Sequence, residues 1–375
     1  MKVLLIAPAP PPYGGMALQA QQLERLLIRD GVTVLFLASN FSLPGPLGRL
    51  ERVRGVRTLL RAGLIWFKLW RRVRQVEVVH ILAASWLFFF IVVYPAVILG
   101  RAYGKRVVVN YRSGEAKDFF RKYGWMAAPA LKLASVITAP SEFIASVVRE
   151  RFDMPVAVVP NILDASLFRY KPRTNIRPRL LVTRHLEKLY DIESVIKAFG
   201  VVQSRYPDAS LRIAGDGSQE AHLRDLVAAL NLTNVQFLGA VAHCDLPAVY
   251  EECDIYVNAS LADNFPGALI EASAAGLVVV TTRAGGIPFI YEDGRTAVLV
   301  EPGDWRGLAA AVDRVLQHPA EALEMTKAAV AVVRACDWTE VRPRLLESYG
   351  FSMDAAPVGA ARLKGIGAPA EPSRV

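Results

Sequence analysis

Cysteine is scarce in this chain, with three residues, Cys244, Cys253 and Cys336, among 375. The count is odd and the spacing is not that of metal ligands, which excludes a disulfide scaffold and a thiolate zinc site. The three read as reduced thiols at small core positions of a cytosolic protein. Charge is sparse too, at 21% against 53% apolar residues, which excludes a disordered chain and leaves ample material for two domains. The opening apolar run of "MKVLLIAPAPPPYGG" is shorter than the roughly 7–15 residues a signal peptide needs, so it reads as a buried first strand. One stretch of twenty residues, Ile81 to Gly100, carries no charge and is long enough for a bilayer. Its context, a strand "VEVVHIL", a small-residue turn, a helix expected over Trp86 to Tyr103 and a strand "RVVVNY", favours a buried helix between strands.

The net charge of +9 is unevenly placed. Residues 1 to 170 hold 23 basic and 10 acidic side chains, whereas the remainder holds 21 and 25. The first half therefore faces something anionic. Much of the excess lies in "RLERVRGVRTLLRAGLIWFKLWRRVR", Arg49 to Arg74, where Trp66, Phe67 and Trp70 interleave with cations. Two readings stand: an anionic membrane interface, or a solvated amphipathic helix with its Trp residues on the sheet. Nucleic acid is not expected, because no base-reading motif accompanies the patch.

Apolar runs alternate with helical segments along the chain. Strands are expected at Lys2 to Ala7, Val32 to Ala38, Val76 to Leu82, Arg106 to Tyr111, Val136 to Pro140 and Val156 to Pro160. After a Pro-, Arg- and Asn-rich linker near residues 162 to 178 a second series follows: Leu180 to Arg184, Leu211 to Asp216, Val235 to Gly239, Asp254 to Ser260, Leu277 to Thr282 and Ala297 to Pro302. Such alternation specifies an α/β protein of two Rossmann-like domains with parallel sheets facing an interdomain cleft, where ligands meet the carboxyl ends of strands. The expected division is 1–167 and 168–337, with a disordered Ala-, Gly- and Pro-rich tail at 353–375.

Candidate site residues fall at those strand ends. Gly14 and Gly15 precede a helix whose amides can approach a phosphate. Arg184, and Lys188 four residues on, can neutralise a diphosphate; Lys188 could equally pair with Glu187 or Asp191. "ADNFPGALIEASAAGL" sets Asp263 and Glu271 around a helix start. Carboxylates accept from hydroxyls and helix N-termini favour anions, so this segment suits a ligand that is both polyhydroxylated and phosphorylated, a nucleotide sugar. Asp263 and Asn264 would hold the sugar, amides of Phe265, Pro266-Gly267 and Ala268 its hydroxyls or phosphate, and Glu271 the ribose. The alternative is an N-cap and a solvated helix residue.

These segments, with "PPYGGMALQ", "VVPNILDASLF", "TRHLEKLYDIESVIKAF" and "IAGDGSQEAHL", resemble the retaining glycosyltransferases of family 4, bacterial polysaccharide-type, which have the GT-B fold. The resemblance implies donor-sugar contact for Asp263, ribose contact for Glu271 and diphosphate contact for Arg184 and a following Lys. It also implies a Gly14-Gly15 loop over the phosphates, Gly215 and Gly217 near the nucleobase, and a last helix, 338–352, that completes the first domain. No cofactor or obligatory metal is implied, the nucleotide sugar being a co-substrate. Departures are Asp263 for Glu, Thr183 for Gly, Lys188 one residue early, and Arg112 in "NYRSG" where His is common. Arg112 suits an anionic acceptor or the departing phosphate better than proton removal, and Glu115 is an alternative base. The expected acceptor is a glycan or lipid-linked sugar at the inner membrane face, which the protein would meet as a cytoplasmic, peripheral enzyme. A sugar-nucleotide epimerase and a catalytically silent binding partner are the competing functions.

Overall fold

A computed structural model describes residues 1–11, 14–41, 54–164 and 167–351, with side chains of 54–57 left aside. The expected tail and residues 49 to 53 of the basic segment lie outside the described residues. Twelve strands form two six-stranded parallel sheets. The first comprises β1 (Lys2–Ala7), β2 (Thr33–Ala38), β3 (Val78–Ala83), β4 (Arg106–Tyr111), β5 (Val136–Ala139) and β6 (Val156–Val158), in the order β2-β1-β3-β4-β5-β6. The second comprises β7 (Arg179–Thr183), β8 (Ser210–Ala214), β9 (Val235–Gly239), β10 (Ile255–Val257), β11 (Val278–Thr282) and β12 (Val298–Val300), in the order β12-β11-β10-β7-β8-β9. Both are doubly wound sheets whose order reverses beside the first strand of each series, and a crevice opens at such a reversal.

The strands read as near-continuous apolar runs because both faces are covered. Ile6, Ile81, Val109, Phe89, Phe119 and Ile65 share the core on one face of the first sheet. Leu5, Val108, Leu27, Trp338 and Leu345 share that on the other. The helix Trp338–Ser348 therefore packs on the first sheet although it ends the described chain. Trp338 Nε1 and Arg342 Nε both donate to Asp30, at 2.9 and 2.6 Å, fixing that return.

The segment between the sheets is pinned to the second one. Arg173 is buried, lies 3.7 Å from Asp254 and donates to the carbonyls of Glu251 and Tyr250, each at 3.2 Å. Asp254 is buried as well and also accepts from Arg179 Nε at 2.7 Å. No helix among the described residues is long and apolar enough to cross a membrane.

One expectation holds to within a residue and two need correction. The helix expected over Trp86 to Tyr103 is present as one helical run from residue 87 to Ala102: Trp86, at φ 60°, stands just before it, and a wide π-helical turn, Phe89–Val93, leads into its α-helical part, Tyr94–Ala102. The indole of Trp86 donates to Glu115. Cys253 and Cys336 are buried, with thiols pushed up to about 11 and about 12 by burial, but Cys244 is exposed and fills no core position. The helix Arg54–Val73 turns Ile65, Leu69 and Val73 to the sheet and leaves Trp66, Phe67 and Trp70 exposed, so the Trp residues do not form the buried stripe.

Candidate functional site

The reversal in the second sheet lies between β7 and β10, and the residues that leave those two strands build the site. Arg184 follows β7; its Nε donates to Asn258 Oδ1 at 3.0 Å, and Asn258 follows β10. Asn258 is fully buried and its amide is oriented by Thr281 and Ser260, at 2.9 and 2.8 Å. The Arg184 guanidinium lies 2.9 Å from Asp263 Oδ2 and 5.2 Å from the centre of the Tyr190 ring. Burial works against its charge, but the carboxylate of Asp263 and the surrounding phenols outweigh that and hold its pKa above the ordinary value.

Asp263 is not a free acid. One oxygen faces Arg184 and the other accepts from the Asn264 amide at 2.8 Å. Its loop is held from behind by Gly285 and Gly286: a Cβ at either would stand 2.1 or 2.0 Å from the carbonyl oxygen of Asp263 or Asn264. Gly285 also has φ +53°, so a side chain there would be strained as well as crowded.

Glu271 lies on the helix Gly267–Ala274, whose start the turn Phe265-Pro266 aims at the cleft. Pro266, the N-cap, offers no side-chain hydrogen bond, and a Cβ on Gly267 would meet nothing within 4 Å, so this N-terminus is open. Glu271 Oε2 accepts from Tyr250 Oη at 3.0 Å, and Oε1 lies 3.2 Å from His243 Nε2, whose pKa its hydrogen bond raises. Behind Tyr250 the chain continues to Thr183 Oγ1 at 2.8 Å and on to Tyr256 Oη at 3.1 Å. Since a carboxylate only accepts, the hydroxyls run Tyr256 to Thr183 to Tyr250 to Glu271. Burial, then the charge of Glu271, raises Tyr250 well above the ordinary phenol range. Thr183, at a position where Gly was noted as usual, thus links the floor beneath Arg184 to Glu271.

The first sheet meets the same loop. Ser141, after β5, donates to Asn264 Oδ1 at 2.5 Å, and Asn264 Nδ2 donates to the carbonyl of Arg112, after β4, at 3.3 Å. Asn161, after β6, donates to the Phe265 carbonyl at 3.4 Å. Three carboxyl-end loops of one sheet therefore close on Asn264 and Phe265 of the other domain, and Arg184, Asp263, Asn264 and Glu271 share one neighbourhood.

Lys188 does not join them. Lys188 is exposed on the short turn Lys188–Tyr190 and lines a separate hollow with Glu187, Asp191, Glu193, Gln219 and His222. The residue of that turn beside Arg184 is Tyr190. Lys188 has no ion pair with Glu187, which accepts from Ser218, or with Asp191, which caps the next helix through Ser194. Gly215 and Gly217 owe their lack of side chain to chain packing, since a Cβ would stand 1.9 and 2.4 Å from the carbonyls of Arg184 and Leu186. Gly14 caps the helix Gly15–Arg29 without a side-chain bond, and open space surrounds both glycines. The Arg112 guanidinium turns to Asn161 and Asn110, and burial lowers its pKa to about 10. It lines a cavity of about 20 Å³ with buried His80, whose pKa falls to about 3 through burial and the charge of Arg112. Glu115 is exposed and accepts from Trp86 Nε1 at 2.7 Å. Sequence reasoning missed Asn258, Tyr250, Ser141 and the Gly285-Gly286 pair. A buried Asn closing the apolar run "DIYVN" was the one local signal.

Two family descriptions divide the chain between them: Glycosyltransferase Family 4 matches residues 13–167, and Glycosyl transferases group 1 matches residues 168–331. Glycogen synthase of Mycobacterium tuberculosis is 30% identical over 78% of this chain and 73% of its own length. The chain is a GT-B glycosyltransferase. A D-inositol 3-phosphate glycosyltransferase of Pseudarthrobacter chlorophenolicus is 32% identical over 47% of this chain and 43% of its own. Among solved structures, sucrose-phosphate synthase from Thermosynechococcus elongatus superposes on the glycosyltransferase with a TM-score of 0.75 at 20% identity, covering 93% of this chain and 98% of that one. HepE from Anabaena, solved with UDP, gives a TM-score of 0.73 at 17% identity over 93% of this chain and 100% of that one. These two likenesses establish the two-domain fold.

Proposed function

We propose that the glycosyltransferase moves a sugar from a nucleoside-diphosphate donor, with retention of anomeric configuration, to a glycan or lipid-linked acceptor at an anionic membrane face. The carrying observation is the convergence of Arg184, Asp263 and Asn264 with Glu271 at the reversal of the second sheet. Breaking the anomeric bond leaves charge on the departing diphosphate. A fixed guanidinium and the open amides of two helix starts, after Gly14 and Pro266, are suited to receive it. The sugar hydroxyls then compete for Asp263, and the ribose diol for Glu271, whose His243 partner is exposed enough to turn away. The leaving phosphate takes the acceptor proton. HepE was solved with UDP-glucose, which makes UDP the first nucleotide to try.

The membrane part rests on the helix Arg54–Val73. Trp66, Phe67 and Trp70 stand exposed beside Arg71 and Arg74, neither of which has a carboxylate partner among the described residues. Arg74 stacks 4.2 Å from the centre of the Trp70 ring, an arrangement suited to aromatics at headgroup depth and cations on lipid phosphate.

A panel of UDP-, GDP- and ADP-sugars, incubated with and without membrane extract, tests the reading. Nucleoside diphosphate release that requires extract supports transfer. An isomerised donor sugar supports the epimerase instead, and binding without turnover the silent partner.

A further inference from the structure

Trp86 is the bulkiest of five non-glycine residues with positive φ, at 60°, a region that large side chains rarely adopt. Its indole N–H donates to Glu115 at 2.7 Å, and its ring makes T-shaped contacts with Phe119 and Tyr123 at 5.7 and 6.0 Å. The residue is nevertheless left 36% exposed. Glu115 occupies the N-cap position of the helix Ala116–Leu133 without capping it, and its second oxygen has no partner among the described residues. The pair follows β3 and β4, adjacent strands in register from Val78 and Arg106 to Ala83 and Tyr111. Ser85 and Tyr111 join the two loops by a 2.7 Å hydroxyl bond. Three residues before Glu115, the Arg112 carbonyl holds Asn264. Trp86 and Glu115 thus stand on the loops at the carboxyl end of the first sheet, one of which holds Asn264 through the Arg112 carbonyl.

An aromatic ring fixed against its backbone preference, with a carboxylate at its edge, matches a neutral polyol. The C–H face of a pyranose stacks on an indole while its hydroxyls donate to the carboxylate. The carboxylate repels phosphate. We propose that Trp86 and Glu115 form the subsite for the acceptor's terminal sugar ring, an assignment that rests on the transferase reading above. The strain at Trp86 is then maintained for binding.

The test uses the full chain with a panel of methyl glycosides of glucose, galactose, mannose and N-acetylglucosamine, with UDP present, read by saturation-transfer NMR. At least one glycoside binds the wild type, and Trp86→Ala and Glu115→Gln each weaken it by about tenfold while UDP affinity stays unchanged. Trp86→Gly separates binding from folding. It relieves the left-handed strain but gives up the contacts with Phe119, Tyr123 and Glu115, so UDP affinity is read beside it: glycoside binding lost with UDP affinity unchanged assigns the loss to the subsite and not to unfolding. Glycoside affinity retained in the Trp86 variants, or no glycoside binding to a wild type that binds UDP, overturns the subsite. A wild type that takes a glycoside through Trp86 but binds no nucleoside diphosphate leaves the subsite standing and removes the donor reading.

Discussion

At the carboxyl edge of the second sheet, the polar side chains are engaged by one another: Arg184 with Asn258 and Asp263, Glu271 with Tyr250 and His243. At the same edge of the first sheet, and on the helices beyond it, Trp86, Glu115, Trp66, Phe67 and Trp70 stay exposed. One topology therefore carries two kinds of surface. A site of buried polar groups is rigid because each atom removed leaves its partner unsatisfied in low dielectric. A surface of exposed aromatics and cations can be altered with little effect on folding.

The comparison is broken most severely at Asp254. Asp254→Asn strands the buried Arg173 guanidinium, and we expect a loss of about 3–5 kcal/mol in urea denaturation. A loss under 1 kcal/mol would show the polar network of the second domain to be less committed than described. Arg184→Ala should lower kcat by about 10²–10³ with the fold retained, as expected for removing a fixed donor from developing charge. An unchanged kcat would place the diphosphate elsewhere.

His80 sharpens the contrast from within the first domain, because it is buried and neutral there. Its pKa falls from 6.5 unfolded to about 3 folded, so its contribution is present above pH 6.5 and is lost as pH falls toward 3. The stability of wild type relative to His80→Gln should therefore drop by about 1.4 kcal/mol for each pH unit across that window, measured by denaturant titration. A pH-independent difference contradicts the burial. Tyr250→Phe, which leaves Thr183 and Glu271 each short of a partner, should cost about 1–2 kcal/mol and weaken nucleotide binding.

The smallest expected change in stability comes from the first domain's surface. Arg71→Glu with Arg74→Glu should move folding stability by under about 0.5 kcal/mol yet abolish sedimentation with anionic vesicles. Arg72 is left out of that pair because its guanidinium donates to the Phe36 carbonyl. Retained sedimentation would remove the membrane reading.

All twelve strands were legible as apolar runs, because a strand covered on both faces must be apolar along its length wherever it lies in the chain. Arg184, Asp263 and Glu271 were legible as polar residues at strand and helix ends. Where the side chain of Lys188 stands was not legible, because spacing gives separation along the chain, whereas the short turn at Lys188–Tyr190 sets Tyr190 beside Arg184 and leaves Lys188 exposed. The helix after Trp86 was legible as an apolar run, whereas the left-handed backbone of Trp86 and its hydrogen bond to Glu115, 29 residues away, were not.

The sequence by itself determined the alternation of elements, the two sheets and the uneven charge, since each depends on the burial or charge of residues close together in the chain. Only the tertiary structure decided that Asp263 faces Arg184, that Thr183 joins Tyr250 to Tyr256, and that Ser141 and Arg112 clasp Asn264. Those partners stand up to 152 residues apart, and a hydrogen bond acts only over a few ångströms, so the loops had to converge before the chemistry could be read.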